Sequence, residues 1–84
     1  MKSRHSREIY LVWVKEALDA LKGKAKLVDV TKKIWQLHKN EIENMGDLFY
    51  TWQYDIRWAA VQLRKNRIMK STKLSQRGVW ELNK

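Results

Sequence analysis

The most informative stretch of this 84-residue sequence is LFYTWQYDIRWAAVQLRKN (residues 48–66), followed by RIMKST (67–72) and RGVWEL (77–82). In the first segment, apolar residues recur at the spacing of one helix face: Phe49, Trp52, Ile56, Ala59, Ala60 and Leu63. The two short segments are rich in β-favouring residues, and a polar stretch separates them. The pattern predicts a helix over 48–66, starting at Asp47 or Thr51, and a β-hairpin with strands at 67–72 and 77–82.

Two more helices are predicted upstream. The first covers residues 7–22 and ends at Gly23, and its apolar stripe comprises Tyr10, Val14, Ala17, Leu18 and Leu21. The second covers 28–43 with Asp29 as a candidate N-cap, and its stripe comprises Leu27, Val30, Ile34 and Leu37, extended by Trp35 and Ile42. Alternatively, Leu27 and Val28 belong to a short strand before this helix. Residues 1–6 are polar and aperiodic, which predicts a flexible tail ahead of one domain over 7–84.

This order of elements indicates an α+β fold. Three helices followed by a C-terminal β-hairpin is the order of a winged helix-turn-helix. In that arrangement the third helix enters the major groove of DNA, and the hairpin, called the wing, lies along the backbone or in the minor groove. Other small α+β domains share the same order of elements.

The charge distribution favours an anionic partner. The sequence has 18 Lys and Arg against 9 Asp and Glu, a formal net charge of +9. No acidic residue lies between Asp55 and Glu81, although seven cations do: Arg57, Arg64, Lys65, Arg67, Lys70, Lys73 and Arg77. Like charges at this density repel one another unless a polyanion or counterions neutralise them. The alternative is an ordinary solvated basic face.

Several function classes are not expected. Without Cys there are no disulfides, thiol nucleophiles or thiolate zinc sites. His5 and His38 have no partner at metal-binding spacing, and the glycines form no phosphate-cradling loop. We therefore expect no enzyme activity, cofactor, metal or small-molecule substrate. The longest apolar run, Ile9 to Val14, is too short for a membrane span or a secretory signal, which predicts a cytoplasmic protein without a membrane partner.

Candidate DNA contacts fall into two groups. Gln53, Tyr54 and Arg57 lie opposite the apolar stripe of the third helix, in its N-terminal half. Gln and Arg side chains can pair with the edges of adenine and guanine, so these residues are candidates for base contacts. The second group is assigned to phosphates and comprises Arg64, Lys65, Lys70, Lys73 and Arg77. The alternative for both groups is a solvent-facing surface.

The five tryptophans have two interpretations. They are Trp13, Trp35, Trp52, Trp58 and Trp80, and they are spread over every predicted element. Stacking on single-stranded bases would need several aromatic residues on one exposed sheet face, and the predicted sheet is only a hairpin. We therefore favour a core built from a few large side chains.

The C-terminal half resembles a known family. Its motif residues are Ile56, Trp58, Ala59, Leu63 and Lys65 in the helix, and Arg77, Gly78, Val79, Trp80 and Leu82 in the wing. In spacing and residue type these are similar to the N-terminal winged-helix domain of Mrr-type restriction endonucleases. The resemblance covers about 30 residues and implies a DNA-recognition module. The nuclease chemistry of that family belongs to a separate domain that this sequence lacks, so cleavage is not expected.

We therefore expect a double-stranded DNA-binding protein, acting as a transcriptional regulator or as a restriction or targeting subunit. A second copy of the chain or a separate effector protein would be its further partner. The alternative is a protein–protein interaction module for dimerisation or scaffolding, for which the first helix offers Ile9, Leu11 and Trp13 as spare apolar surface. RNA binding ranks last because no stacking platform is predicted.

Overall fold

A computed structural model describes residues 4–74 and 77–83 of the chain. The elements follow in the order α1 (Arg4–Ala20), β1 (Lys24–Lys26), α2 (Leu27–Glu43), a 3-10 turn (Gly46–Tyr50), α3 (Trp52–Lys65) and β2 (Val79–Glu81). The protein is therefore α+β, with three helices and a two-stranded antiparallel sheet. This arrangement is compatible with a winged helix.

The limits of α1 differ from the prediction at both ends. Residues 4–6 are helical, so the predicted tail over 1–6 is wrong for them, while residues 1–3 lie outside the described residues. No Gly or Pro interrupts the sequence before Ile9, so the helix extends through this polar segment. At the other end, Lys22 and Gly23 adopt φ values of 69° and 87°. The Gly23 N–H donates to the Leu18 carbonyl at 2.6 Å, which closes the helix two residues early.

The sheet differs from the predicted hairpin. β2 pairs with β1, in the register Lys24–Glu81, Ala25–Trp80 and Lys26–Val79. The predicted strand at 67–72 is reduced to one bridge between Met69 and Leu82. The hairpin prediction was therefore wrong about the main partner of the last strand. The alternative strand at Leu27 and Val28 was also wrong, since both residues belong to α2 and β1 ends just before them, at Lys26.

Two chain reversals explain why 67–72 forms no regular strand. Arg67 adopts the left-handed conformation with φ 63°, and the Ile68 N–H donates to the Leu63 carbonyl at 2.9 Å, which ends α3. A second turn follows at once, where the Leu74 N–H donates to the Ser71 carbonyl at 3.0 Å. Only the residues around Met69 remain extended beside β2.

The core lies mainly between α1 and α3, which pack more extensively than any other pair of elements. The predicted stripes are confirmed within these two helices, and Met69, Trp80 and Leu82 join them from the C-terminal segment. Leu21 and Phe49 lie outside the helices and are only partly buried. The predicted start of the third helix at 48 was wrong, because the chain forms the 3-10 turn there and α3 begins at Trp52. Trp13, Trp52 and Trp80 are buried, and Trp35 and Trp58 are half-buried against the core. The tryptophans therefore pack the core, as the sequence predicts.

Three local expectations were wrong. Leu37 is exposed, because α2 kinks at the next residue, His38, which packs against α1 in its place. Asp29 lies inside the first turn of α2, and Lys26 occupies the capping position. Trp13 is buried, so it offers no spare apolar surface on α1, and Ile9 and Leu11 are partly buried against the core.

Replacing Trp80 by Ala should lower the free energy of unfolding by ~3–5 kcal/mol, the usual effect of truncating a buried tryptophan. Trp80 is 6% exposed, whereas the control residue Leu74 is 71% exposed. Leu74→Ala should change stability by less than about 0.5 kcal/mol. Urea unfolding of both variants measures this. A near-neutral Trp80→Ala would show that β2 does not anchor the core.

Candidate nucleic-acid interface

An open groove of about 580 Å³ lies where three segments meet: the junction of β1 and α2, the N-terminal half of α3, and the residues leading into β2. It brings together three of the predicted site residues, Gln53, Arg57 and Arg77. Among the described residues, its lining contains three cations and no carboxylate: Lys26, Leu27, Val28, Thr31, Gln53, Arg57, Arg77, Gly78 and Val79.

Sheet pairing holds two walls of this groove together. Lys26 is paired with Val79 at the end of the ladder. One residue further, the Leu27 N–H donates to the Gly78 carbonyl at 3.2 Å, which ties the start of α2 to the segment before β2. Gly78 has a φ of 77°, which side-chain-bearing residues rarely adopt, although a Cβ there would meet nothing within 4 Å. The glycine is therefore required by the backbone conformation and not by crowding.

The third wall is the exposed face of α3. Gln53 and Arg57 are one helical turn apart, so their side chains share a face, and both are exposed. The opposite face of the helix is fixed in the core: Ile56, Ala59, Ala60 and Leu63 are buried. The orientation of Gln53 and Arg57 towards solvent therefore follows from the packing of α3.

The cations of the groove, Lys26, Arg57 and Arg77, have no ion-pair partner among residues 4–74 and 77–83. Lys26 also stands at the N-terminus of α2, where the helix dipole adds positive potential. The groove therefore concentrates positive charge from three separate elements, and this favours an anionic ligand.

Lys70 is differently placed from the groove cations. Its Nζ atom lies 3.0 Å from Glu81 Oε2, and both side chains are partly shielded from solvent. The Lys70 N–H also donates to the Glu81 carbonyl at 2.8 Å. The charge of Lys70 is thus already balanced by a carboxylate on β2, so an incoming phosphate must compete with Glu81.

Arg64 is also engaged within the fold. Its guanidinium carbon lies 5.9 Å from the centroid of the Trp80 ring, a cation–π contact between α3 and β2. Burial lowers the pKa of the Arg64 guanidinium from its ordinary value. Its Nε atom is buried without a hydrogen-bond partner among the described residues. These contacts indicate that Arg64 helps to dock β2 on α3.

The remaining predicted contacts lie outside the groove. Tyr54 is 73% exposed on α3, Lys65 is exposed at the end of that helix, and Lys73 is exposed in the turn that follows Met69. None of the three lines the groove.

Six residues that line the groove were not predicted as contacts: Lys26, Leu27, Val28, Thr31, Gly78 and Val79. Lys26 belongs to a three-residue strand in which the exposed Lys24 and Lys26 flank a half-buried Ala25. This alternation has the two-residue period of a strand, but it is too short to stand out from a basic loop. The only other indication in the sequence was the alternative of a short strand at Leu27 and Val28, before the second helix.

Comparison of the chain with protein families, with curated proteins and with solved structures found no match. The likeness to Mrr-type domains therefore stays a prediction. Within residues 4–74 and 77–83, no helix is long and apolar enough to cross a membrane. The same residues contain no group of three or more His, Asp or Glu side chains arranged to hold a metal ion.

Replacing Arg57 by Gln should raise the free energy of unfolding at low salt by up to about 0.5 kcal/mol, because it relieves repulsion among the groove cations. High salt should abolish the difference, since it screens exposed charges. Lys15→Gln is the control: Lys15 pairs with Asp19 at 3.2 Å on the surface of α1. Loss of this ion pair should lower the free energy of unfolding by about 0.3 kcal/mol. A stability loss for Arg57→Gln at low salt would contradict the repulsion.

Proposed function

We propose that this chain is a cytoplasmic winged-helix protein that binds double-stranded DNA through the groove between α2, α3 and the segment before β2. The observation that carries the proposal is the convergence of Lys26, Arg57 and Arg77, from three elements, in a groove whose lining has no carboxylate. Phosphate neutralisation by Lys and Arg supplies much of the affinity of DNA-binding proteins.

The order and pairing of the strands support the winged-helix assignment. β1 lies between α1 and α2 and pairs with the last strand, which is also bridged by Met69. The chain between Met69 and β2 then corresponds to the wing, with Arg77 at its base. In winged helices this segment lies beside the recognition helix on the DNA, as Arg77 lies beside α3 here.

The dimensions of α3 support its role as the recognition helix. Its 14 residues span roughly 21 Å, while the major groove is about 12 Å wide. Only the N-terminal half of the helix is needed for base contacts, and this half carries Gln53 and Arg57. Gln suits the adenine edge and Arg suits the guanine edge, while Lys26 and Arg77 suit phosphates.

The biological role follows from the same proposal. A DNA-binding module without its own catalytic residues would act as a transcriptional regulator or as a targeting subunit of a restriction system. It would work as a homodimer or with a separate effector protein. Tyr54, Lys65 and Lys73 would make outer contacts on a duplex that extends beyond the groove.

Fluorescence anisotropy with a short labelled duplex tests the proposal. With about six phosphates contacted, affinity should fall by ~10³ between roughly 50 and 200 mM salt. Arg57→Ala should weaken binding by ~1–3 kcal/mol and reduce the preference between duplex sequences. Lys15→Ala removes a cation from the surface of α1, outside the groove, and should leave affinity nearly unchanged.

Two results would contradict the proposal. One is absence of binding at low salt, which would direct the search to protein partners. The other is an equal loss for Arg57→Ala and Lys15→Ala, which would mean that net charge, and not the groove, attracts the duplex. If Arg57→Ala weakens the affinity for every duplex sequence equally, Arg57 contacts a phosphate and not a base.

Lys73 and Lys70 form a matched pair of lysines for testing the wing. Lys73→Ala should weaken binding to all duplexes alike and reduce the salt slope by about one. Lys70→Ala should reduce the slope by less, because Glu81 already balances Lys70 at 3.0 Å. The slopes of log affinity against log salt measure both effects. An unchanged slope for Lys73→Ala would show that Lys73 and the wing residues around it do not contact the DNA.

A further inference from the structure

The helix α2 is kinked at His38. This residue has φ −130° and ψ 24°, outside the helical range, although the helix continues on both sides of it. The imidazole ring lies flat against the indole of Trp13 on α1, with the ring centroids 4.1 Å apart and the planes 11° from parallel. The side chain of His38 is only 14% exposed. The kink is thus the point at which α2 meets α1 through stacked rings.

Both ring nitrogens of His38 face carboxylates. Nε2 lies 2.7 Å from Oε1 of Glu16 on α1, and Nδ1 lies 2.6 Å from Oε1 of Glu41 on α2. An ionised carboxylate can only accept hydrogen bonds, so each nitrogen must donate. Neutral imidazole has a single N–H group. Two donated bonds therefore require the doubly protonated imidazolium form.

The electrostatic surroundings favour the same protonation state. Burial lowers the pKa of His38, but the hydrogen bonds and charges of Glu41 and Glu16 raise it by more, so the pKa lies above the ordinary value for histidine. Among the described residues, these two carboxylates are the charged groups that contact the ring, one from α1 and one from α2. The neighbouring Lys39 is directed elsewhere, with its Nζ atom 5.9 Å from the ring of Trp35.

We propose that His38 is a protonation-dependent clasp that fixes the kinked α2 against α1. In the imidazolium form the ring donates to a carboxylate on each helix while it stacks on Trp13. When it loses a proton, one nitrogen presents a lone pair to a carboxylate, and one of the two bonds is lost. This device is independent of DNA binding, since none of its residues lines the groove.

The pH dependence has a defined sign. A histidine whose pKa is higher in the folded than in the unfolded protein stabilises the fold while it is protonated in both states. The stabilisation is complete below the unfolded pKa and disappears as the pH rises through the folded pKa. The clasp therefore holds in mildly acidic solution and opens towards alkaline pH.

An NMR titration of the His38 ring tests the clasp directly. The His5→Ala variant leaves His38 as the single histidine, so its ring signals are unambiguous. We expect their titration midpoint to lie above that of a histidine in an unfolded peptide. Glu16→Gln and Glu41→Gln should each lower the midpoint. The control Glu43→Gln, which removes an exposed charge from the same helix, should leave it nearly unchanged.

Thermal unfolding distinguishes the clasp from a purely structural role. In His38→Gln both amide N–H donors belong to one nitrogen, and the other polar atom is a carbonyl oxygen that only accepts, so the side chain cannot donate to Glu16 and Glu41 from two separate atoms. Its melting temperature should fall below that of the wild-type protein near about pH 5.5, and the difference should shrink towards about pH 9. A difference that does not vary with pH would overturn the proposal. A midpoint at or below that of a free histidine, insensitive to Glu16 and Glu41, would overturn it as well.

Discussion

The pairing of β1 with β2 is the contact on which the rest of the structure depends. It joins residues more than fifty positions apart in the sequence, and its register places Lys26 beside Val79 and Leu27 beside Gly78. A ladder of three residues a side is too short to be stable alone. It is stabilised through Trp80, which is buried opposite the small Ala25. The burial of Trp80 in the core therefore holds the walls of the groove together. Substitutions that weaken this packing should also move the groove cations apart.

The basic residues of the chain divide into two kinds by their partners. Lys70 is balanced by Glu81, and Arg64 lies over the Trp80 ring, so both contribute to the docking of β2. Arg57 and Arg77 have no ion pair with a described carboxylate, and they converge with Lys26 on the groove. Uncompensated charges in one place destabilise the isolated protein slightly, and an anionic ligand relieves this. The convergence of Lys26, Arg57 and Arg77 in one groove therefore supports the proposed site more specifically than the net charge does.

The sequence predicted the helices well because their signal is local. The stripe that includes Trp52, Ile56 and Leu63 located α3 and its exposed face, and hence Gln53 and Arg57. Strand pairing depends on distant segments, so the sequence could not show that β1 replaces 67–72 as the main partner of β2. Lys26 was missed for this reason. The contacts of His38 could not be predicted for the same reason, because Glu16 lies 22 residues away in the sequence, on another helix.

The proposed binding of duplex DNA by the basic groove rests on the convergence of Lys26, Arg57 and Arg77. An NMR titration of the isotope-labelled protein with a short mixed-sequence duplex, at low and then at physiological salt, tests it most directly. Binding in the groove should shift the amide signals of residues 26–31, 53–57 and 77–79, which line or flank it, and the shifts should weaken as salt rises. An absence of shifts at low salt would contradict the claim. So would shifts confined to the outer face of α1 around Val12 and Lys15, which lies outside the groove.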